Sequence, residues 1–469
     1  AEELLEVKRE SISAALEAML GTEDLKQDGE AIYLPPFYYA EIGVAAKLKR
    51  LAADTDALPS EARADFERLA KKTGLQYDEI QKDAILKATV SKVMVLTGGP
   101  GTGKTTTTLG MIAVLRSRGK RILLAAPTGR AAKRMTETTG MEARTIHRLL
   151  EFKPPEGYQR NEENRLEGDV LIVDECSMID VILMNALLKA IPPRMQLILV
   201  GDVDQLPSVG AGNVLRDIID SGVFPVVRLT RIFRQARSSR IILNAHRINT
   251  GEFPDLSNGA GTDFFFVPAE EPETAAQEIV RLVKTRLPKY RQVLPSEIQV
   301  LTPMQRGAVG AANLNTLLQE ALNPSETCLR RSGYSFRLYD KVMQIRNNYD
   351  KEVFNGDVGT ISALNLEERN LRVRFDDREV EYDVTELDEL AQAYAVTIHK
   401  SQGSEYPIVV MPMLMTHFVM LQRNLLYTGV TRAKKLLVLV GTKKAVGYAV
   451  RNVTVTSRNT RLKERLQGE

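Results

Sequence analysis

"KVMVLTGGPGTGKTTTTLG", residues 92–110, is the stretch on which the reading of this chain turns. An apolar run ends in glycines, and a helix-forming segment follows directly. Gly98, Gly103, Lys104 and Thr105 fill the G-x-x-x-x-G-K-[ST] pattern in the strand-then-helix setting the pattern needs. Glycines let backbone N–H groups turn inward around phosphates, and a helix N-terminus adds the positive end of its dipole. The pattern places Lys104 at β/γ-phosphates and the Thr105 hydroxyl on Mg²⁺, with Gly101 and Thr106 in the same nucleotide-holding loop.

Downstream, "LIVDECSM" sets Asp174 and Glu175 at the end of an apolar strand. Neighbouring strand residues point to opposite faces, but a strand terminus frees both carboxylates to approach one site. Asp174 is the candidate to hold Mg²⁺ with Thr105, and Glu175 the candidate to polarise an attacking water. The bland alternative is a surface acidic pair. Cys176 reads as a small core residue.

Outward from this point, short apolar strands alternate with helices: "KVMVLTG", "RILLAAPT", "DVLIVDE", "MQLILVGD" and "PVVRLTR". That alternation indicates a parallel sheet covered on both faces. A second alternating region runs through "DFFFVPA", "EIQVLTPM", "YPIVVMPML" and "KLLVLVGTK". Residues 325–388 differ, with short alternating strands and turns that read as an inserted small, SH3-like β-barrel. The polar "FKPPEGYQRNEENRLEG" (152–168) reads as a β-hairpin insertion. The expected architecture is α/β, with two domains built on parallel sheets, the first carrying the P-loop pattern. Its parts are an N-terminal helical module (1–75), a first α/β domain (76–235), a second (236–324 and 389–469), and the barrel (325–388).

A length of 469 residues exceeds one hydrophobic core, and the 43% hydrophobic and 26% charged fractions are ordinary for a soluble protein. No apolar run reaches the roughly 20 residues that span a bilayer. The two cysteines, Cys176 and Cys328, allow no disulfide framework and fit a reducing cytoplasm. A net charge of +3 neither shows nor excludes a nucleic-acid groove. The chain starts at Ala1, and the reading allows for sequence upstream of it.

Further motifs follow in order: "DEIQKDAI", "APTGRAAKRM", "TIHRLL", "GDVDQLPSVGAG", "LTRIFRQ", "VLTPMQRGAVG", "FNGDVG", "AVTIHKSQGSE" and "LLYTGVTRAKK". Together with the phosphate loop they resemble superfamily 1 helicases, and in detail the RecD family of DNA helicases. The resemblance implies two RecA-like lobes and a 5′→3′ DNA translocase of the B branch, driven by ATP and Mg²⁺. It also implies a role in DNA repair and recombination, in the cytoplasm at the nucleoid. The implied partners are single-stranded DNA and 5′-tailed duplex, with no membrane and a monomer as the expectation. The helical N-terminal region leans towards a stand-alone enzyme over a RecBCD subunit. An RNA-directed motor and a non-turnover ATP-regulated subunit are the rivals.

By motif position, Gln81 would read the adenine edge, Gln205 sense the γ-phosphate, and Gly403 and Glu405 contact the nucleotide. Arg234 and Arg432 would act as arginine fingers, with Arg231 competing for the first role. Pro127, Thr128, Arg130, Thr145 and His147 of one lobe would grip the strand together with Thr397, His399 and Lys400 of the other. The hairpin would be a strand-separating pin or a solvated loop. The barrel would cover the DNA channel or dock a protein.

Overall fold

In a computed structural model the structure describes residues 2, 6–53, 62–74, 76–233, 238–348, 350–376, 378–453 and 458–468. The N-terminal region holds helices Arg9–Gly21, Pro35–Ala53 and Ala62–Thr73 and a small antiparallel pair, β1 (Lys26–Asp28) with β2 (Ala31–Tyr33). Within "EAIYLPPFYYAE" (30–41) only Ala31–Tyr33 is extended. Pro35 and Pro36 open a helix instead, where a missing N–H costs nothing.

The first lobe is a six-stranded sheet of β3 (Val93–Gly98), β4 (Ile122–Ala126), β5 (Ala143–Thr145), β8 (Val170–Val173), β9 (Gln196–Gly201) and β10 (Val226–Leu229), ordered β10-β3-β9-β8-β4-β5. Every ladder in it is parallel. The strands bury both faces, as period-two geometry demands. Val93, Val95, Leu171 and Val173 enter one core, while Met94, Leu96, Ile172 and Ile198 enter the other. Between β5 and β8 lies the hairpin, β6 (Phe152–Lys153) with β7 (Gly157–Tyr158). It is confined to 152–158; residues 159–168 are turns and loop, and Leu166 drops into the core.

The second lobe is a five-stranded parallel sheet of β11 (Phe264–Pro268), β12 (Ile298–Thr302), β20 (Ala395–Thr397), β21 (Tyr406–Met413) and β22 (Ala433–Gly441), ordered β11-β22-β21-β12-β20. Inserted between β12 and β20 is the antiparallel domain. It comprises the hairpin β13 (Cys328–Arg331)–β14 (Tyr334–Arg337) and a sheet of β15 (Lys341–Gln344), β16 (Val358–Asn365), β17 (Asn370–Phe375), β18 (Arg378–Asp383) and β19 (Leu390–Gln392). β17 and β18 alternate buried and exposed around a separate core that includes Phe336, Val373 and Tyr382. The inserted sheet runs past residue 388, because β19 closes it against β15.

The C-terminal segment corrects the expected second domain. Helix Leu462–Gln467 returns to the first lobe, where Leu462 and Leu466 join that core. Arg465 anchors it on Asp28 at 2.5 Å and Glu41 at 3.0 Å. Among the described residues no helix is long and apolar enough to cross a membrane.

Candidate nucleotide site between the two lobes

In parallel sheets the carboxyl ends of the strands present loops and helix N-termini to ligands. β3 ends in the glycine loop, β8 in Asp174 and Glu175, and β9 in Asp202. The other lobe brings the residues just before β21 and β22, Glu405 and Arg432. Between them lies a cleft of about 580 Å³ lined by Lys104, Thr105, Asp174, Glu175, Gln205, Glu405 and Arg432.

The loop is shaped by glycine. Gly101 and Gly103 have φ of 72° and 81°, in the left-handed region only glycine enters freely. Gly103 thereby caps the helix Lys104–Ser117. Lys104 Nζ donates to the Gly98 carbonyl and, at 3.4 Å, to that of Gly99, lying across its own loop. Gly98 does not line the cleft. A Cβ there would stand 2.8 Å from the Leu229 carbonyl oxygen, so its glycine serves strand packing.

At the end of β8 the chain turns sharply, with Glu175 at φ 53° and ψ 39°. A non-glycine residue there carries strain of order 1–3 kcal/mol and is found most often at functional sites. The turn lets the Glu175 N–H donate to Asp174 Oδ1 at 2.8 Å. Burial, then the Glu175 charge, pushes Asp174 up to about 6. Burial also acts to raise Glu175, but Arg134, Arg432 and Lys104 together outweigh it and hold this carboxyl below its ordinary value.

Arg432 is 3% exposed and knits the lobes together. Its Nη2 donates to Gln205 Oε1 at 2.8 Å and its Nη1 to the Ser404 carbonyl at 3.1 Å. Gln205 Nε2 donates to Asp202 Oδ2 at 3.2 Å, which also accepts from Tyr427 Oη of the second lobe at 2.7 Å. Arg134 pairs with Glu175 at 2.6 Å and with Glu405 at 2.7 Å, while Lys434 holds Glu405 at 2.9 Å. Arg134, Asp202, Tyr427 and Lys434 were passed over in the sequence, although "APTGRAAKRM", "GDVDQLPSVGAG" and "LLYTGVTRAKK" contain them. The available signal was spacing: Arg134 lies one helical turn after Arg130.

Several expected residues do not line the cleft. Gln81 is 1% exposed and packs against Gly103 of the glycine loop. Its Oε1 accepts from the Asp78 N–H at 3.1 Å, a helix-capping role, and its Nε2 faces the Gly103 carbonyl at 3.5 Å. Gly403, at φ 72°, is packed against Thr128 instead of the cleft; a Cβ would lie 2.7 Å from Thr128 Oγ1. Thr106 does not line the cleft either. Arg231 is exposed, and Arg234 lies outside the described residues.

The two Thr-Ile-His stretches occupy matching places. β5 and β20 are the edge strands of their sheets, each paired in parallel to the strand before it in the fold, and each motif follows the carboxyl end. Thr145 is buried and caps the next turn by accepting from Arg148 N–H at 3.1 Å. Thr397 does the same for Lys400 at 3.4 Å. His147 packs on Phe152 and Tyr158 of the hairpin, both at 5.8 Å. Burial lowers both His147 and His399, the first against an opposing pull from Asp180. Lys400 is exposed, and Pro127 lies half-buried just beyond β4. Thr128 caps the helix Gly129–Thr139, and Arg130 spans the lobes to Ser404 Oγ at 3.0 Å and Tyr406 Oη at 3.2 Å. Arg130 is thus engaged across the interface between the lobes.

A glycine phosphate loop, an acidic strand end and an arginine from a facing lobe define the class: two-lobed P-loop proteins. The comparisons refine it. Residues 81–211 match the AAA domain family, 314–375 the ATP-dependent RecD-like DNA helicase SH3 domain, and 392–440 the UvrD-like helicase C-terminal domain. The chain is similar to the ATP-dependent RecD2 DNA helicase of Deinococcus radiodurans, 38% identical over 436 residues, 93% of this chain and 58% of that protein. It is similar to the RecBCD enzyme subunit RecD of Mycolicibacterium smegmatis, 32% identical over 94% of this chain and 83% of that protein. A solved structure of Pif1 helicases at forked duplex DNA shares the fold at TM-score 0.50, with 20% identity over 79% of this chain and 94% of that one. The chain belongs to the RecD family of helicases. It spans little more than half the length of the Deinococcus relative.

Proposed function

We propose that this chain is the motor of an ATP-dependent DNA helicase that moves 5′→3′ along single-stranded DNA and separates duplex ahead of it in DNA repair or recombination. The observation that carries the reading is the convergence of Lys104, Asp174 and Glu175 from one lobe with Arg432 from the other on one cleft. Only a site completed from both lobes can convert nucleotide chemistry into relative movement of the lobes. The domain division read from the sequence is proposed with it, amended so that β19 closes the barrel and the C-terminal helix belongs to the first lobe.

In this mechanism the glycine loop and Lys104 hold the triphosphate, and Glu175 accepts the proton of the attacking water. Thr105 and Asp174 would hold Mg²⁺. One hydroxyl and one carboxylate suit an ion that keeps several waters and phosphate oxygens. Among the described residues no cluster of three or more His, Cys, Asp or Glu offers a self-sufficient metal cage, which agrees with that arrangement. Bound Mg²⁺ supplies charge neutralisation at the phosphates. Arg432 stabilises charge on the transferred group, and fingers of this kind contribute on the order of 10³–10⁵ in rate. Its bond to Gln205 ties the finger to Asp202 and Tyr427. The two Thr-Ile-His strand ends are the alternating grips, contacting phosphates through hydroxyl, imidazole and backbone groups without reading sequence. The hairpin, backed by His147, is the proposed pin, and the barrel is the proposed cover of the channel.

The test is phosphate release by the purified chain with single-stranded DNA, with RNA and with neither, beside unwinding of 5′-tailed and 3′-tailed duplexes. DNA-stimulated turnover and unwinding from the 5′ tail alone are expected, and Lys104→Ala should abolish both while leaving the thermal melt unchanged. Unwinding by Lys104→Ala, or stimulation by RNA in place of DNA, would sink the reading.

A further inference from the structure

We propose that Arg134 is a positioning residue that withholds Glu175 from the attacking water until a bound strand rearranges the lobes. The inference rests on the functional reading above and adds to it the link between strand and nucleotide.

Arg134 sits on the 11-residue helix Gly129–Thr139, between the strand end at Thr128 and the nucleotide cleft. Its guanidinium is forked. Nη2 donates to Glu175 Oε1 at 2.6 Å and Nη1 to Glu405 Oε1 at 2.7 Å. Charge-assisted bonds of this length are roughly twice as strong as neutral ones. A general base must lie within hydrogen-bond reach of the proton it takes. Here one Glu175 oxygen is already committed to a cation, and the Glu175 side chain is only 9% exposed. The carboxylate is therefore masked, with one oxygen held by a cation and little surface left open.

The mask is conditional because its other half belongs to the second lobe. Glu405 precedes β21 and is held by Lys434, which lies in β22. One turn earlier on the same helix, Arg130 grips Ser404 and Tyr406. Side chains four apart share a helix face, so both arginines address the segment Ser404–Tyr406. Thr128, at the start of this helix, touches that segment's neighbour Gly403. A shift of the second lobe past Thr128 must therefore pull on Arg134. Whatever loosens Arg134 from Glu405 changes its hold on Glu175. Strand binding and water activation then share one rigid element.

The test is steady-state phosphate release with and without single-stranded DNA for wild type, Arg134→Gln, Arg134→Lys, Glu175→Gln and Arg134→Gln/Glu175→Gln. Arg134→Gln should raise strand-free kcat roughly three- to tenfold, equivalent to about 0.6–1.4 kcal/mol, with KM for ATP little changed and a smaller stimulation by DNA. Arg134→Lys, which keeps the charge but cannot bridge both carboxylates, should fall between the two and carries the test if the glutamine variant does not fold. The double variant should be as inactive as Glu175→Gln, since the released turnover must pass through Glu175. A strand-free rate unchanged or lowered in step with the stimulated rate, in an enzyme whose wild type responds to DNA, overturns the role of Arg134 alone. A wild type whose turnover ignores DNA overturns the functional reading and the inference together.

Discussion

At Gly103 the backbone φ is 81°, and a Cβ would stand 2.5 Å from Gln81 Nε2 and 2.8 Å from Phe233 Cε2. Left-handed backbone costs a residue with a side chain about 1–2 kcal/mol, and the crowding adds to it. Gly103→Ala should therefore lower unfolding free energy by at least that amount in urea titrations and abolish nucleotide binding measured by calorimetry; intact affinity would show that the loop adapts. This glycine was legible because the pattern states a backbone requirement that lies within eight consecutive residues. For Gln81 and Gly403 the surroundings in the fold were not legible, for the opposite reason. A motif fixes neighbours along the chain, but whether a side chain meets nucleotide, a cap or the other lobe depends on packing. Arg134 was missed because one cation among several on a polar helix reads as solvated. Its two carboxylate partners lie 41 and 271 residues away.

The C-terminal helix Leu462–Gln467 illustrates the same limit for an element. Its six residues carry no sequence signal for which lobe they cover, and only its partners decide. Thr460 Oγ1 lies 2.9 Å from Glu41 Oε2 and 3.0 Å from Asp217 Oδ2, yet one hydroxyl has one proton to give. A proton on Asp217 would complete the chain by donating to the Thr460 hydroxyl. Burial pushes Asp217 up to about 7, with Glu41 and Glu464 adding to it against the Thr460 hydrogen bond. A carboxyl raised in the folded state binds its proton more tightly there than in the unfolded chain. Its contribution is thus full at low pH and is lost as pH climbs from 3.8 to about 7. Asp217→Asn, which stays neutral, should gain stability relative to wild type as pH rises from 5 to 8, read from urea midpoints. A difference independent of pH would show that Asp217 is ionised throughout.

Across the whole molecule, the two parallel sheets were legible because strands buried on both faces read as continuous apolar runs. The barrel was legible because its strands alternate. How the barrel meets the first lobe was not, since that depends on pairs of surface charges far apart in sequence. Lys133 meets Asp376 at 2.6 Å, and Arg148 meets Glu352 at 2.8 Å. They flank a cleft of about 380 Å³ that Arg130 and Thr145 also line. Half-exposed pairs of this kind contribute only about 0.2–1 kcal/mol each to stability. Their larger effect is on charge: two cations beside the proposed strand path are matched by carboxylates of the barrel. Glu352→Gln/Asp376→Asn should therefore leave unfolding free energy within about 2 kcal/mol of wild type and tighten single-stranded DNA binding at low salt. The slope of log affinity against log salt should steepen by up to about 0.7 for each cation released to a phosphate. Fluorescence anisotropy across a salt series reads both quantities, and an unchanged affinity and slope would mean that the strand does not run past Lys133 and Arg148.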